Sequence, residues 1–171
     1  MNSSGIFRIL NLVLVGVLAG TMLEEYFIVK IVFSSLATPQ WGELHAKFGV
    51  FHLPVIIPIA ALATVSLVIL LISERKLKTL SLKFTWIAVP FFLAIIIITA
   101  VFMMPLNFII SEWQANGIPA DAEYIKIKWL WLHGARTIFS IIGFIILTIA
   151  LFYKKPALPN NKTNNIYSEK I

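Results

Sequence analysis

Four stretches of this 171-residue chain are long, apolar and almost free of charge. They run from about Ile6 to Phe33, Phe48 to Ile72, Leu82 to Ile110 and Ile127 to Tyr153. Each exceeds the roughly 20 apolar residues that a membrane-spanning helix needs. Backbone polar groups in lipid find no water, so a spanning segment satisfies them within itself, as a helix does. The expected fold is therefore all-α: a four-helix transmembrane bundle, up-down-up-down, over residues 1–155. A polar, Asn-rich tail at 156–171 reads as disordered. Charged residues make up 13% of the chain, against about 25% in a soluble domain, which excludes a soluble enzyme of this size.

The absence of Cys excludes disulfides, thiolate nucleophiles and zinc ribbons. The net charge of +6 is not a nucleic-acid signal, because the basic residues gather at the segment ends, where they meet lipid head groups. Nine lie on one side: Arg8, Arg75, Lys76, Lys78, Lys83, Lys154, Lys155, Lys162 and Lys170. Four, Lys30, Lys47, Lys126 and Lys128, lie on the other. The positive-inside bias then puts both termini and the second loop in the cytoplasm of a multi-pass cell-membrane protein. Asn2-Ser3-Ser4 and Asn161-Lys162-Thr163 match the glycosylation pattern but fall on the cytoplasmic side. A cleaved signal peptide, with Arg8 as its charged region and Val17-Leu18-Ala19 as its cleavage site, is the competing reading of the N-terminus. The apolar pattern resumes after Glu25, which favours one long helix.

The few polar residues inside the stretches fall at one depth. At about 1.5 Å per residue, Glu24 lies roughly 9 Å inside Lys30, and His52 roughly 7.5 Å inside Lys47. Asn107 and His133 lie at similar depth from Glu112 and Lys128, and Arg136 is one turn further in. Ionisable groups in a bilayer are costly, so a shared level implies that they satisfy one another or do work. Gly16, Gly20 and Glu24 share one helix face, and the small-xxx-small pattern marks a close helix contact. Glu24 is thus expected to point into the bundle, with Glu25 turned about 100° away. Trp129, His133 and Arg136 form a stripe, and Trp129 and Trp131 sit where interfacial aromatics sit. Pro58 and Pro105 free the carbonyls of Pro54 and Val101 near this level. His45 is read as a solvated residue of the outer loop. The plain structural alternative is that the layer only locks helices together.

Met104-Pro105-Leu106-Asn107, a polar loop, and then Trp129-x3-His133-x2-Arg136 resemble the anthrone oxygenase-like family of small four-helix membrane proteins. The resemblance covers 104–136 and a compatible helix layout elsewhere. It implies site roles for Asn107, Trp129, His133 and Arg136, and oxygenation of anthrones to anthraquinones. Glu24, Glu25 and His52 stand outside the family pattern.

Oxygenating an activated phenolic carbon needs a base, charge stabilisation and a dry pocket. His133 or His52 suits the base, because imidazole titrates near neutral pH. Arg136 and Asn107 suit an oxyanion. Trp129 and Trp131, with Glu24 and Glu25, would contact a small hydrophobic aromatic substrate entering from the bilayer. The sequence requires no cofactor. The second reading is a metal or haem redox protein with His52, His133 and Glu24 as transition-metal ligands. His45 is about 10.5 Å from His52 along one helix, too far to share an ion. A third is a non-enzymatic accessory or transport protein, with the polar layer as an ion path. Oligomeric state is not encoded in any of these features.

Overall fold

The computed structural model describes residues 3–76 and 79–153. Helix α1 is Ser3–Ile31, followed by a single 3-10 turn at Phe33–Ser35. Helix α2 is Thr38–Glu74. Helix α3, Leu80–Ile97, continues through a π-helical turn, Ile98–Met103, into α4, Met104–Ser111. A short α5, Trp113–Asn116, ends at Gly117, whose φ of 85° places it in the left-handed region that a residue without a Cβ adopts freely. Helix α6 is Ala122–Phe152. Among the described residues, four helical spans are long and apolar enough to cross a membrane, and they alternate in direction. The expected tail, 156–171, lies outside the described residues.

The spans pack through heptad-like faces. On α1 the buried positions include Arg8, Asn11, Val15, Leu18, Met22, Glu25 and Val29, a series that steps by three or four residues. Span α1 packs against α2 and α6, and α3 packs against α6. Two apolar clusters result. One includes Val15, Met22, Ile56, Leu67, Phe92 and Leu147. The other includes Val29, Trp41, Met103, Ile110, Trp113 and Trp129.

Several expectations change here. Helix α2 begins at Thr38, where the sequence reading places a loop. Pro39 sits in the first turn, where its missing N–H costs nothing, and Gly42 does not break the helix. A Cβ on Gly42 would come within 2.5 Å of the Trp113 ring, so the residue is there for close packing. The glycine stripe of α1 is only half used. A Cβ on Gly16 would meet Phe144 at 3.0 Å, but nothing lies within 4 Å of one on Gly20. Arg8, read as a flanking charge, is buried. Its Nε donates to Glu74 Oε1 at 2.8 Å, and a second nitrogen pairs with Oε2. Asn11 adds bonds to Ser66 Oγ (2.7 Å) and the Ala63 carbonyl (3.1 Å). Ser81 Oγ donates to the Ala150 carbonyl at 2.6 Å. The end of the bundle where α1 and α3 begin and α2 and α6 finish is thus tied by polar groups.

Candidate functional site

The second polar region lies where α1, α2 and α6 meet, between the two apolar clusters. Its hub is Glu25. The Glu25 Oε2 atom lies 3.1 Å from Arg136 Nη2, 3.4 Å from His52 Nε2 and 4.0 Å from His133 Nε2. Glu25 arrives there because it continues the Asn11–Met22 face of α1. Glu24, one residue earlier, is exposed. The expectation for Glu24 is therefore corrected: the Gly16 and Gly20 face turns away from the polar core. Three of the four groups at this hub, Glu25, His133 and Arg136, are buried, and His52 is mostly so.

Arg136 makes its contacts on two sides. Its Nη2 donates to Glu25 Oε2, and its Nε donates to His133 Nδ1 at 3.2 Å. Guanidinium nitrogens only donate, so His133 Nδ1 is an acceptor and the neutral ring carries its proton on Nε2. Asn107, an expected partner of Arg136, is engaged elsewhere: its Oδ1 accepts the Trp129 indole N–H at 2.7 Å. The Asn107 side chain also lies within hydrogen-bonding reach of His45. Asn107 is set on the bundle face by the π-turn before it. Pro105 has no N–H, and its ring crowds the Val101 carbonyl. The preceding turn widens, and Met104 N–H bonds to the Thr99 carbonyl instead. Such wide turns recur at functional positions in helices.

Aromatic rings enclose the polar groups. The Trp129 ring lies parallel to His133 (centroids 5.1 Å apart, 8° between planes). His45 meets Trp129 edge to face at 4.8 Å and stacks on Trp41 at 5.1 Å. Phe48 stacks on His52 at 4.9 Å, and Tyr26 lies nearly parallel to His133 at 6.4 Å. A sheath of this kind excludes water and strengthens every electrostatic interaction within it. Trp131, by contrast, is 77% exposed and points away from Trp129.

His45 belongs to the site rather than to a solvated loop. The signal was its spacing: Trp41, His45, Phe48, His52 and Ile56 recur at three or four residues, one helix face. Trp41 and Trp113 were also missed, and both are buried. Among the described residues, three buried histidine nitrogens, His45 Nδ1, His52 Nε2 and His133 Nε2, have no hydrogen-bond partner, and neither do the indole N–H groups of Trp41 and Trp113. The 3.4 Å approach of His52 to Glu25 is thus close but not aligned as a bond. Buried polar atoms are nearly always paired, so these groups are free to bond to a water or to another molecule.

The metal-ligand set His52, His133 and Glu24 is not assembled, because Glu24 faces outward. Among the described residues no three His, Asp or Glu side chains converge as a metal cluster. Glu25, which stands in the place expected for Glu24, is already engaged by Arg136.

No solved structure matches this chain. Among curated proteins, the anthrone oxygenase dmxR16 of Cryptosporiopsis sp. (strain 8999) is 37% identical over 57 residues, 32% of this chain and 33% of that protein. The chain thus spans about a third of the length of the curated relative it matches. A family model described as anthrone oxygenase matches residues 48–146. That segment contains His52, Asn107, Trp129, His133 and Arg136, and excludes Glu25 and His45. With more than half of its length matched by that model, this four-helix membrane protein belongs to the anthrone oxygenase family.

Proposed function

We propose that the protein is a membrane-embedded oxygenase that converts an anthrone, a lipid-soluble tricyclic ketone with an acidic CH2 group, into the corresponding quinone. The observation that carries the proposal is the convergence of Arg136, His52 and His133 on one oxygen of Glu25. The overall reaction is CH2 plus O2 giving C=O plus H2O. It begins with loss of a proton from carbon, and the resulting anion is electron-rich enough to reduce dioxygen.

The residues divide by what their neighbours leave free. His52 is the base: Glu25 beside Nε2 favours the tautomer with its proton there, which leaves the Nδ1 lone pair to accept the substrate proton. His133 is not a base, because Arg136 occupies its Nδ1. Its Nε2–H is instead a donor for the developing enolate oxygen, assisted by the Asn107 amide. Arg136 balances Glu25, so the core bears no net charge before the substrate ionises. The aromatic sheath supplies a water-poor surround that dissolves both dioxygen and a planar substrate.

The test is isotopic. Purified protein in lipid nanodiscs, given an anthrone under 18O2, should form the quinone with one labelled oxygen and release one labelled water per turnover. Quinone formation no faster than in protein-free nanodiscs would overturn the proposal.

A further inference from the structure

Outside the polar core, α1 and α6 flank an open groove of about 390 Å³. Small-molecule sites typically measure roughly 300–1,000 Å³ and combine apolar walls with a few polar groups. Here Tyr26 and Lys30 of α1 face Leu130, Trp131, Gly134 and Ile138 of α6. Lys30 and Tyr26 are four residues apart, so the ammonium and the phenol stand one above the other. Exposed Trp131 now finds a place: it forms the outer wall.

The groove adjoins the site through one ring. A Cβ on Gly134 would sit 3.2 Å from Tyr26 Cε2, so the Tyr26 ring rests on bare backbone. Another neighbour is the His133 ring, nearly parallel at 6.4 Å. Tyr26 therefore partitions the groove from His133. We infer that this groove, between Tyr26 and Trp131, is the docking site through which the planar aromatic substrate arrives sideways from the bilayer, before it passes Tyr26 to reach His133. The aromatic faces suit a flat ring system, and Lys30 at the rim suits its ketone or phenol oxygen. A lipid acyl chain offers neither a flat face nor an acceptor at that level. This inference rests on the proposed oxygenation for the identity of its ligand.

The experiment titrates the protein in nanodiscs with 1,8-dihydroxyanthraquinone, a visible absorber, and follows quenching of tryptophan fluorescence. Wild type should show saturable quenching. Ile138→Trp, which fills the groove, should weaken binding by about tenfold or more, the effect of excess bulk in a filled pocket. Ile145→Trp, equal bulk on an exposed position of α6 outside the groove, should leave binding unchanged. Trp131→Phe should reduce the quenching amplitude. If Ile138→Trp melts below wild type, Ala135→Leu fills the same groove in its place. Equal affinity in the filled variants, or linear quenching that reports partition into lipid alone, would overturn the inference. Anthrone oxidation measured alongside separates the two claims. Oxidation with unaltered binding and rate in Ile138→Trp sinks the groove alone. Groove-dependent binding without oxidation sinks the oxygenase reading alone.

Discussion

Arg136→Met removes the only guanidinium within reach of Glu25 in the described site and leaves the carboxylate buried. Glu25 and Arg136 side chains are 5% and 9% exposed and 3.1 Å apart. Breaking such a pair by removing one partner typically costs about 3–5 kcal/mol, while removing both charges costs much less. His133 Nδ1 also loses its donor. At roughly 2–4 °C per kcal/mol for a chain of this size, the single variant should melt about 6–20 °C below wild type. Fluorescence-detected size-exclusion after heating in mild detergent measures this. The Arg136→Met, Glu25→Gln double variant should recover most of the loss. Substituting Glu24→Gln for Glu25→Gln should recover none, because Glu24 is exposed. An Arg136→Met protein as stable as wild type, or equal rescue by Glu24→Gln, would refute the placement of the pair.

Three further outcomes are expected. At the other end of the bundle, Glu74→Gln leaves Arg8 buried without its partner and should cost about 3–5 kcal/mol in the same melt. Gly42→Ala drives a Cβ into Trp113, 2.5 Å away, and should cost about 1–3 kcal/mol by overpacking while also lowering activity. We propose, from the distribution of Lys and Arg, that the termini are cytoplasmic. Single cysteines at Gln40 and Ile118 should then label from outside intact cells and those at Arg75 and Lys76 should not, and the reverse pattern reverses the orientation.

The spans could be read from the sequence because length is a one-dimensional quantity. Facing could not. Glu24 and Glu25 differ by about 100° around α1, and the glycines beside Glu24 outweighed the longer series Asn11, Val15, Leu18, Met22 and Glu25 that carries the real interface. The same series hid Arg8, whose partner Glu74 lies 66 residues away and so has no local signature. His45 was lost to a helix boundary. Gly42 and the polar residues around it resemble a loop, yet the helix begins at Thr38, since Gly42 is needed against Trp113. The π-turn was foreshadowed only by Pro105. Asn107 and Trp129, 22 residues apart, found each other because that turn sets the asparagine toward α6.

Anthrone-dependent oxygen uptake by wild type, His52→Asn and Glu24→Gln in nanodiscs tests the assignment of the site most directly. Asparagine keeps a polar side chain of similar reach but cannot accept a proton at neutral pH, so His52→Asn should fold normally and lose about 100-fold or more of the rate. Glu24→Gln should retain the wild-type rate. No anthrone-dependent uptake by wild type, or a His52→Asn rate equal to wild type, would contradict the assignment of His52 as the base of an oxygenation site.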